Sequence, residues 1–366
     1  MKISCIRENL TRALGSLSRI VTTSNTLPIL GNILLKTDQG RLKLSATDLE
    51  MGINYWIGAS VEEEGEITIP ARIFHDYVSN NNDEHIKLSV EGQQISLVSD
   101  HYSTKINGLS PDEFPIIPSI KSDSIIELDS SVLQNAITKV VFAASIGETN
   151  PTLAGVLFKT DNSHLKIVAT DSYRLAEKII PLAMEVVEDF AVIVPTKTAQ
   201  ELNRALQSVT SGRVKIIVSE NQIMFKMDDI EIVSRLVEGN YPAYESIMPA
   251  NFTTKATIVT KELLQNVKMA AVFSRDTQKI KLIVSQKNNQ LTSLSKGQSG
   301  ENISNISIEV EGIDGEIIFN TRYLSDVLNI IGSTKIVLEL TDKLKPGLIK
   351  SIDDDHYKYI IMPVKD

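Results

Sequence analysis

The chain has 366 residues, enough for two or three domains at roughly 100 to 200 residues each. Apolar residues make up 42%, so each domain can bury its own core, and a formal charge of −9 argues against a simple basic nucleic-acid binder. A single cysteine, Cys5, excludes an internal disulfide framework and Cys-based zinc sites.

From Ile3 the chain alternates apolar and polar residues and predicts a strand that buries Cys5 as an inert thiol. A helix over 7–20 follows, with Leu10, Leu14 and Leu17 on one face. NILLKTD (32–38) and 43–46 read as strands around the turn Asp38-Gln39-Gly40, and IPAR (69–72) leads into a helix over 71–79. Residues 86–90 and 95–98 make a hairpin around Glu91-Gly92. The series then restarts. Strand IIEL (125–128) precedes a helix over 129–144, for which Ser130 and Ser131 are the expected caps. GVLFKTD (155–161) repeats NILLKTD, Ala169-Thr170-Asp171 repeats Ala46-Thr47-Asp48, and Val194-Pro195-Thr196-Lys197 opens a helix over 197–209. Strands 214–218 and 223–227 close the unit around Ser219-Glu220-Asn221. The third unit has strand ATIV (256–259), Thr260 as expected cap and a helix over 261–273. Phe319-Asn320-Thr321-Arg322 opens a helix over 321–331, and strands 336–340 and 357–362 follow.

The strand-to-helix landmark begins at 69, 194 and 319, evenly spaced, so the chain is three copies of one unit. Each copy holds two helices and about eight strands. This is an α+β pattern, with helices too few for a doubly wound parallel sheet and units too long for a solenoid. The proline-bearing linkers SPDEFPIIPS (110–119) and GNYPAYESIMP (239–249) place the domains at 1–120, 121–250 and 251–366.

No catalytic chemistry is legible. None of the five histidines has zincin spacing with another, and neither a Walker A segment nor Gly-x-Gly-x-x-Gly occurs. Thr47-Asp48 and Thr170-Asp171 recur at equivalent strand ends and read as turns, and Asp353-Asp354-Asp355 reads as an exposed hairpin turn rather than a metal site. No cofactor and no metal are expected. A hydrolase or transferase would need a converging polar cluster in one domain, breaking the repeat. No apolar run approaches the ~20 residues of a membrane span, and the N-terminus lacks the apolar stretch of a signal peptide, so a cytoplasmic location is expected.

LPILGNILL (27–35), ATDLEM (46–51), IPAR (69–72), ATDSYRLA (169–176), EGNYPAY (238–244) and MPVKD (362–366) together resemble the bacterial sliding clamp, the β subunit of the DNA polymerase III holoenzyme. The likeness runs the length of the chain in order. It implies a processivity factor: a head-to-tail homodimeric ring of six domains, with helices lining a hole that holds double-stranded DNA without sequence preference. The partners implied are the replicative polymerase catalytic subunit, the clamp loader and repair polymerases, held through short linear peptides.

On the six predicted helices ten cations stand against six carboxylates, although the whole chain is at −9. The candidate DNA contacts are Arg12, Arg72, Lys139, Lys197, Arg204, Lys268 and Arg322. A weak positive lining suits sliding, because each strong phosphate contact adds affinity that opposes it. The resemblance also implies a peptide pocket between the second and third domains. One side takes Leu153, Thr170, Ser172, Tyr173, Arg174 and Leu175, and the linker supplies Pro242 and Ile247. Asn320 and Tyr323 come from the third landmark, and Ile360, Met362, Pro363 and Val364 from the C-terminus. Leu, Ile, Val and Met make an apolar cleft, with Asn320 expected to set peptide register. Ser172 and Tyr173 stand where the family often has Gly and His, Ser246 where a basic residue is common, and Pro346 near a usual small polar site, so partner preference differs in detail. At the ring seam the resemblance implies Val272 and Phe273, with Ile106 on the matching strand of the first domain. A monomeric peptide-binding scaffold is the competing reading, and dimerisation separates the two.

Overall fold

A computed structural model describes the chain except residues 22–26, 121–124, 148–149, 209–211, 250 and 366. Both expected domain boundaries, at 120/121 and 250/251, fall beside residues outside those described.

The first repeat runs β1 (Lys2–Ile6), α1 (Arg7–Leu17), β2 (Asn32–Asp38), β3 (Arg41–Thr47), β4 (Met51–Glu63), β5 (Glu66–Pro70), α2 (Ala71–Asn80), β6 (His85–Glu91), β7 (Gln94–Val98) and β8 (Ser103–Asn107). The second runs β9 (Ile125–Asp129), α3 (Ser130–Val140), β10 (Gly155–Asp161), β11 (His164–Thr170), β12 (Arg174–Pro181), β13 (Ala191–Pro195), α4 (Thr196–Ser208), β14 (Arg213–Val218), β15 (Gln222–Lys226) and β16 (Ile230–Arg235). The third runs β17 (Thr254–Val259), α5 (Thr260–Phe273), β18 (Lys279–Ser285), β19 (Gln290–Gly297), β20 (Gly300–Ser307), β21 (Glu309–Gly312), β22 (Gly315–Asn320), α6 (Thr321–Ile330), β23 (Lys335–Leu340), β24 (Gly347–Ser351) and β25 (Tyr357–Ile361). The three strand-to-helix landmarks are the ends of β5, β13 and β22, where the chain passes directly into α2, α4 and α6.

Each repeat builds two four-stranded antiparallel layers. One has the orders β5-β2-β3-β4, β13-β10-β11-β12 and β22-β18-β19-β20. The other has β1-β6-β7-β8, β9-β14-β15-β16 and β17-β23-β24-β25. Strands with period-two burial, such as β18 with Ile280, Leu282 and Val284 inward, turn one face to the helices. On α1, Leu10, Ala13, Leu14 and Leu17 are buried at helical spacing, and on α5 Leu263, Val267 and Ala270. A fully buried leucine contributes about 1.5–3 kcal/mol by leaving water, so a charge at Leu14 would break α1 from its sheet. Helix α1 contacts α2, and α5 contacts α6. Cys5 is buried in β1, and burial pushes its thiol up to about 12, which keeps it protonated and inert.

The chain divides into two compact units that cut across the repeats. One comprises Met1–Ser131 with Glu201–Leu236, and the other Val132–Gln200 with Val237–Asp366. The reason is strand pairing. In the first unit β4 of the first repeat pairs antiparallel with β16 of the second. In the second unit β12 of the second repeat pairs in the same way with β25 of the third. Each joint continues a sheet from one repeat into the next.

Two expected caps are corrected. Ser130 and Thr260 are the first residues inside α3 and α5, and their buried hydroxyls have no hydrogen-bond partner. Because each strand runs straight into its helix, the cap position is the last strand residue. At α3 that residue is Asp129, whose Oδ1 accepts from the Ser131 N–H at 2.8 Å.

Candidate functional site

The turn joining β11 to β12 organises the second unit's joint. Thr170 Oγ1 donates to the Arg174 carbonyl at 2.6 Å and accepts from the Ser172 N–H at 3.1 Å. Asp171 Oδ1 accepts from the Tyr173 and Arg174 N–H groups, each at 3.0 Å. Ser172 is thereby held at φ +76°, and Tyr173 is thrown outward, 63% exposed. Thr47 and Asp48 make the same bonds around Leu49 in the first unit, so both Thr-Asp pairs are turn formers as expected.

Arg174 turns inward and is 5% exposed. Its Nε donates to Asp171 at 3.0 Å, Nη1 to Asp326 of α6 at 2.5 Å and Nη2 to the Phe142 carbonyl at 2.8 Å. The guanidinium lies 4.5 Å from the centre of the Tyr323 ring. Burial works against its charge, but the bond to Asp326, with the fields of Tyr359 and Asp171, outweighs it and raises the pKa. A planar five-donor group satisfied on three sides fixes the turn, Tyr323 and α6 to one another.

Behind the turn, Leu175 and Ile360 join Leu157, Val168, Ile193, Tyr244 and Leu348 in one apolar cluster, with Tyr241 and Met248 against it. The Tyr244 hydroxyl donates to Glu177 at 2.8 Å, and burial pushes its pKa up. The C-terminal strand is latched by the Met362 N–H donating to the Tyr173 carbonyl at 2.8 Å. The expected pocket residues therefore separate into layers. Leu153, Thr170, Arg174, Leu175 and Ile360 are buried, whereas Ser172, Tyr173, Pro242 and Ile247 are exposed. Tyr323, Met362 and Pro363 lie half-buried between them. Pro346 is half-buried beside β24, and the Ser246 hydroxyl turns back to the Ala243 carbonyl at 2.8 Å.

Two of the expected residues have further roles. Asn320 Oδ1 caps α6 by accepting from the Arg322 N–H at 2.8 Å, and Nδ2 donates to Gln278 at 3.2 Å. Val364 lines a cavity of about 230 Å³ with Lys343 and Leu344.

Family models cover almost the whole chain. Those described as DNA polymerase III beta subunit N-terminal, central and C-terminal domain match residues 1–118, 127–243 and 245–365. The chain belongs to the DNA polymerase III β-subunit family, the bacterial sliding clamps. It is 31% identical to the beta sliding clamp of Synechocystis sp. over 388 residues, covering 100% of this chain and 99% of that protein. It is 30% identical to that of Staphylococcus epidermidis, with the same coverage. Among solved structures, the Pseudomonas aeruginosa sliding clamp bound to griselimycin matches at TM-score 0.95 and 28% identity over 100% of both chains. The Bacillus subtilis sliding clamp matches at 0.94 and 28% over 100% of this chain and 99% of that one.

Of the clamp-lining candidates, Arg12, Arg72, Lys197, Arg204, Lys268 and Arg322 reach solvent on their helices. Arg72 is the most open, at 95% side-chain exposure. Arg204 and Arg19 share the buried carboxylate of Glu201, the latter at 3.0 Å. Lys139 is a correction. It is buried, pairs with Asp354 at 2.7 Å and sits 5.3 Å from the centre of the Tyr357 ring. A second lysine, Lys178, reaches the same carboxylate at 2.6 Å, so Asp354 is an ion-pair centre on the β24–β25 hairpin turn, whose Asp353 and Asp355 are exposed. Sequence reasoning missed this because helix position alone does not tell which lysine turns inward.

Of the residues expected at the seam, Val272 is 51% exposed at the end of α5, and the Phe273 ring lies 3.7 Å from where a Cβ on Gly300 would stand. Ile106 pairs with Ile95, is 6% exposed and faces inward, while Ser103, Lys105 and Asn107 of β8 alternate outward. Among the described residues no group of His, Cys, Asp and Glu is placed to hold a metal, and no helix is long and apolar enough to cross a membrane.

Proposed function

We propose that two copies of this chain close head to tail into a ring around duplex DNA, and that the ring tethers replication and repair proteins while doing no chemistry itself. The strand order carries this reading. β4 meets β16, and β12 meets β25, at equivalent joints. By the same rule β20 should meet β8, the remaining strand of each kind. Within one chain β20 pairs only with β19 and β8 only with β7 among the described residues. An edge strand presents a row of unpaired N–H and C=O groups, and natural proteins cover such edges. A second copy satisfies both edges twice, giving a heterologous contact that closes. The apolar centre of the seam is Phe273 with Val272, which is 51% exposed.

The DNA contacts are Arg12, Arg72, Lys197, Arg204, Lys268 and Arg322, weak enough to let the ring slide. Extended peptides of the polymerase catalytic subunit, the clamp loader and repair polymerases dock between Tyr173, Pro242, Ile247 and Met362. The apolar floor under Leu175 and Ile360 supports that assignment. Work on chromosomal DNA in a bacterium places the protein in the cytoplasm, and the domains follow 1–120, 121–250 and 251–366.

Light scattering on the eluting protein tests the ring, with a dimer mass expected. Loaded on nicked circular DNA by a clamp loader, the protein should leave once the circle is linearised. A monomer, or retention on linear DNA, would overturn the topological reading.

A further inference from the structure

We infer that the first unit carries a second peptide cleft, at the β4–β16 joint, and that it selects peptides bearing a carboxylate beside an aliphatic anchor. The class of ligand rests on the reading of the β12–β25 joint as a peptide site; the location and the selectivity rest on the first unit alone. A cavity of about 330 Å³ opens there, lined by Leu49, Glu50, Met51, Ile116, Val233 and Arg235. Its frame matches the second joint bond for bond. The Arg235 N–H donates to the Glu50 carbonyl at 2.9 Å, as that of Met362 does to Tyr173 at 2.8 Å. Leu49 is held at φ +74°, as Ser172 is at +76°. Pro115 follows Phe114 in the first linker as Pro242 follows Tyr241 in the second.

Two observations distinguish this cleft from plain surface. Leu49 is a leucine in the left-handed region, which its Cβ disfavours, and it is still 46% exposed. Ile116 beside it is 94% exposed, so two large apolar side chains flank one opening. The rim supplies the selectivity. Where the second joint has Tyr173 and Met362, the first has Glu50 and Arg235, paired at 3.5 Å with side chains 68% and 63% exposed. An exposed pair of this kind holds weakly, so a peptide carboxylate can take the guanidinium in its place, with two parallel N–H···O bonds. The half-polar wall, with Thr47, Gln222 and Ser234, suits an extended backbone.

The test uses the full dimer with isoleucine methyl groups labelled for NMR and acetyl-Gly-Ile-Glu-Leu-Gly-amide as probe. Ile116 and Ile117 report on the first cleft, and Ile247 and Ile360 on the second. The expected result is a saturable shift at Ile116 and Ile117. It should weaken at least fivefold with Gln in place of the peptide Glu, weaken about tenfold in Arg235→Gln, and tighten severalfold in Glu50→Gln, which frees Arg235. A merely structural effect would not tighten binding when Glu50 loses its charge. Response at Ile247 and Ile360 with none at Ile116 and Ile117 overturns the second cleft and leaves the first reading standing. Response at neither pair overturns both, and response at Ile116 and Ile117 that ignores the peptide Glu overturns the selectivity.

Discussion

The two joints share a backbone and differ in where they keep their charge. At the β4–β16 joint the ion pairs lie in solvent: Arg235 with Glu50, and Arg41 with Asp229, whose side chains are 38% and 56% exposed. At the β12–β25 joint they are buried. Arg174 binds Asp171 and Asp326, and Lys139 and Lys178 converge on Asp354, with the lysines 10% and 13% exposed and the carboxylate 19%. Surface pairs contribute little and bend easily, whereas a buried, fully bonded network costs desolvation and gives one geometry in return. The chain has placed its rigid network under the turn that presents Tyr173. It leaves the other joint to be held by backbone pairing and apolar packing around Ile120, Met224 and Val233.

The sharpest break in this comparison is Asp354→Ala, which leaves two buried lysines without a carboxylate. It should cost the protein about 3 kcal/mol in urea unfolding. Asp229→Ala, at the hairpin turn next to β4, should cost less than about 1 kcal/mol. Equal losses would mean that the burial difference carries no energetic weight. Next, Asp326→Asn removes one of the two charges on Arg174 and loosens the turn, so a peptide bound at Tyr173 and Met362 should weaken about tenfold. Fluorescence anisotropy with a labelled peptide measures this, and Asp326→Glu should recover part of the loss.

A smaller effect separates the lysines and arginines on the helices. Arg72→Ala should reduce the salt dependence of binding to a short duplex by about 0.9 in the log–log slope. Lys139→Met should leave that slope alone and lower stability instead, because its ammonium is spent on Asp354. The pH response is the mildest test. Burial pushes the Asp354 pKa up, but the hydrogen bonds from Lys139 and Lys178 pull it further down, so the net shift is downward. The contribution is complete above the ordinary carboxylate value of about 3.9 and fades as pH falls through the lowered one. Asp83, half-buried and drawn down to about 2 by hydrogen bonds from the His101 ring and backbone, follows the same sign. His101 is raised by that hydrogen bond, so its share is complete below about 6.5 and fades as pH climbs through its raised value. Asp83→Asn should return the His101 titration, followed by NMR, to the ordinary range.

Sequence by itself determined the threefold repeat, the six helices within a few residues and the turn role of Thr47-Asp48 and Thr170-Asp171. All of these are local: the period of apolar residues and the reach of a short side chain to its own backbone decide them. Leu175 and Ile360, named through the resemblance, are buried in the apolar cluster behind the β11–β12 turn. What only the tertiary structure decided is direction and partnership. Lys139 and Lys268 both sit on first helices of their repeats, yet one is buried on Asp354 of a distant turn and the other is exposed. Such assignments depend on which face meets which neighbour across 100 or more residues of chain, as for Lys139 and Asp354 at a separation of 215. No pattern within one helix or strand encodes that.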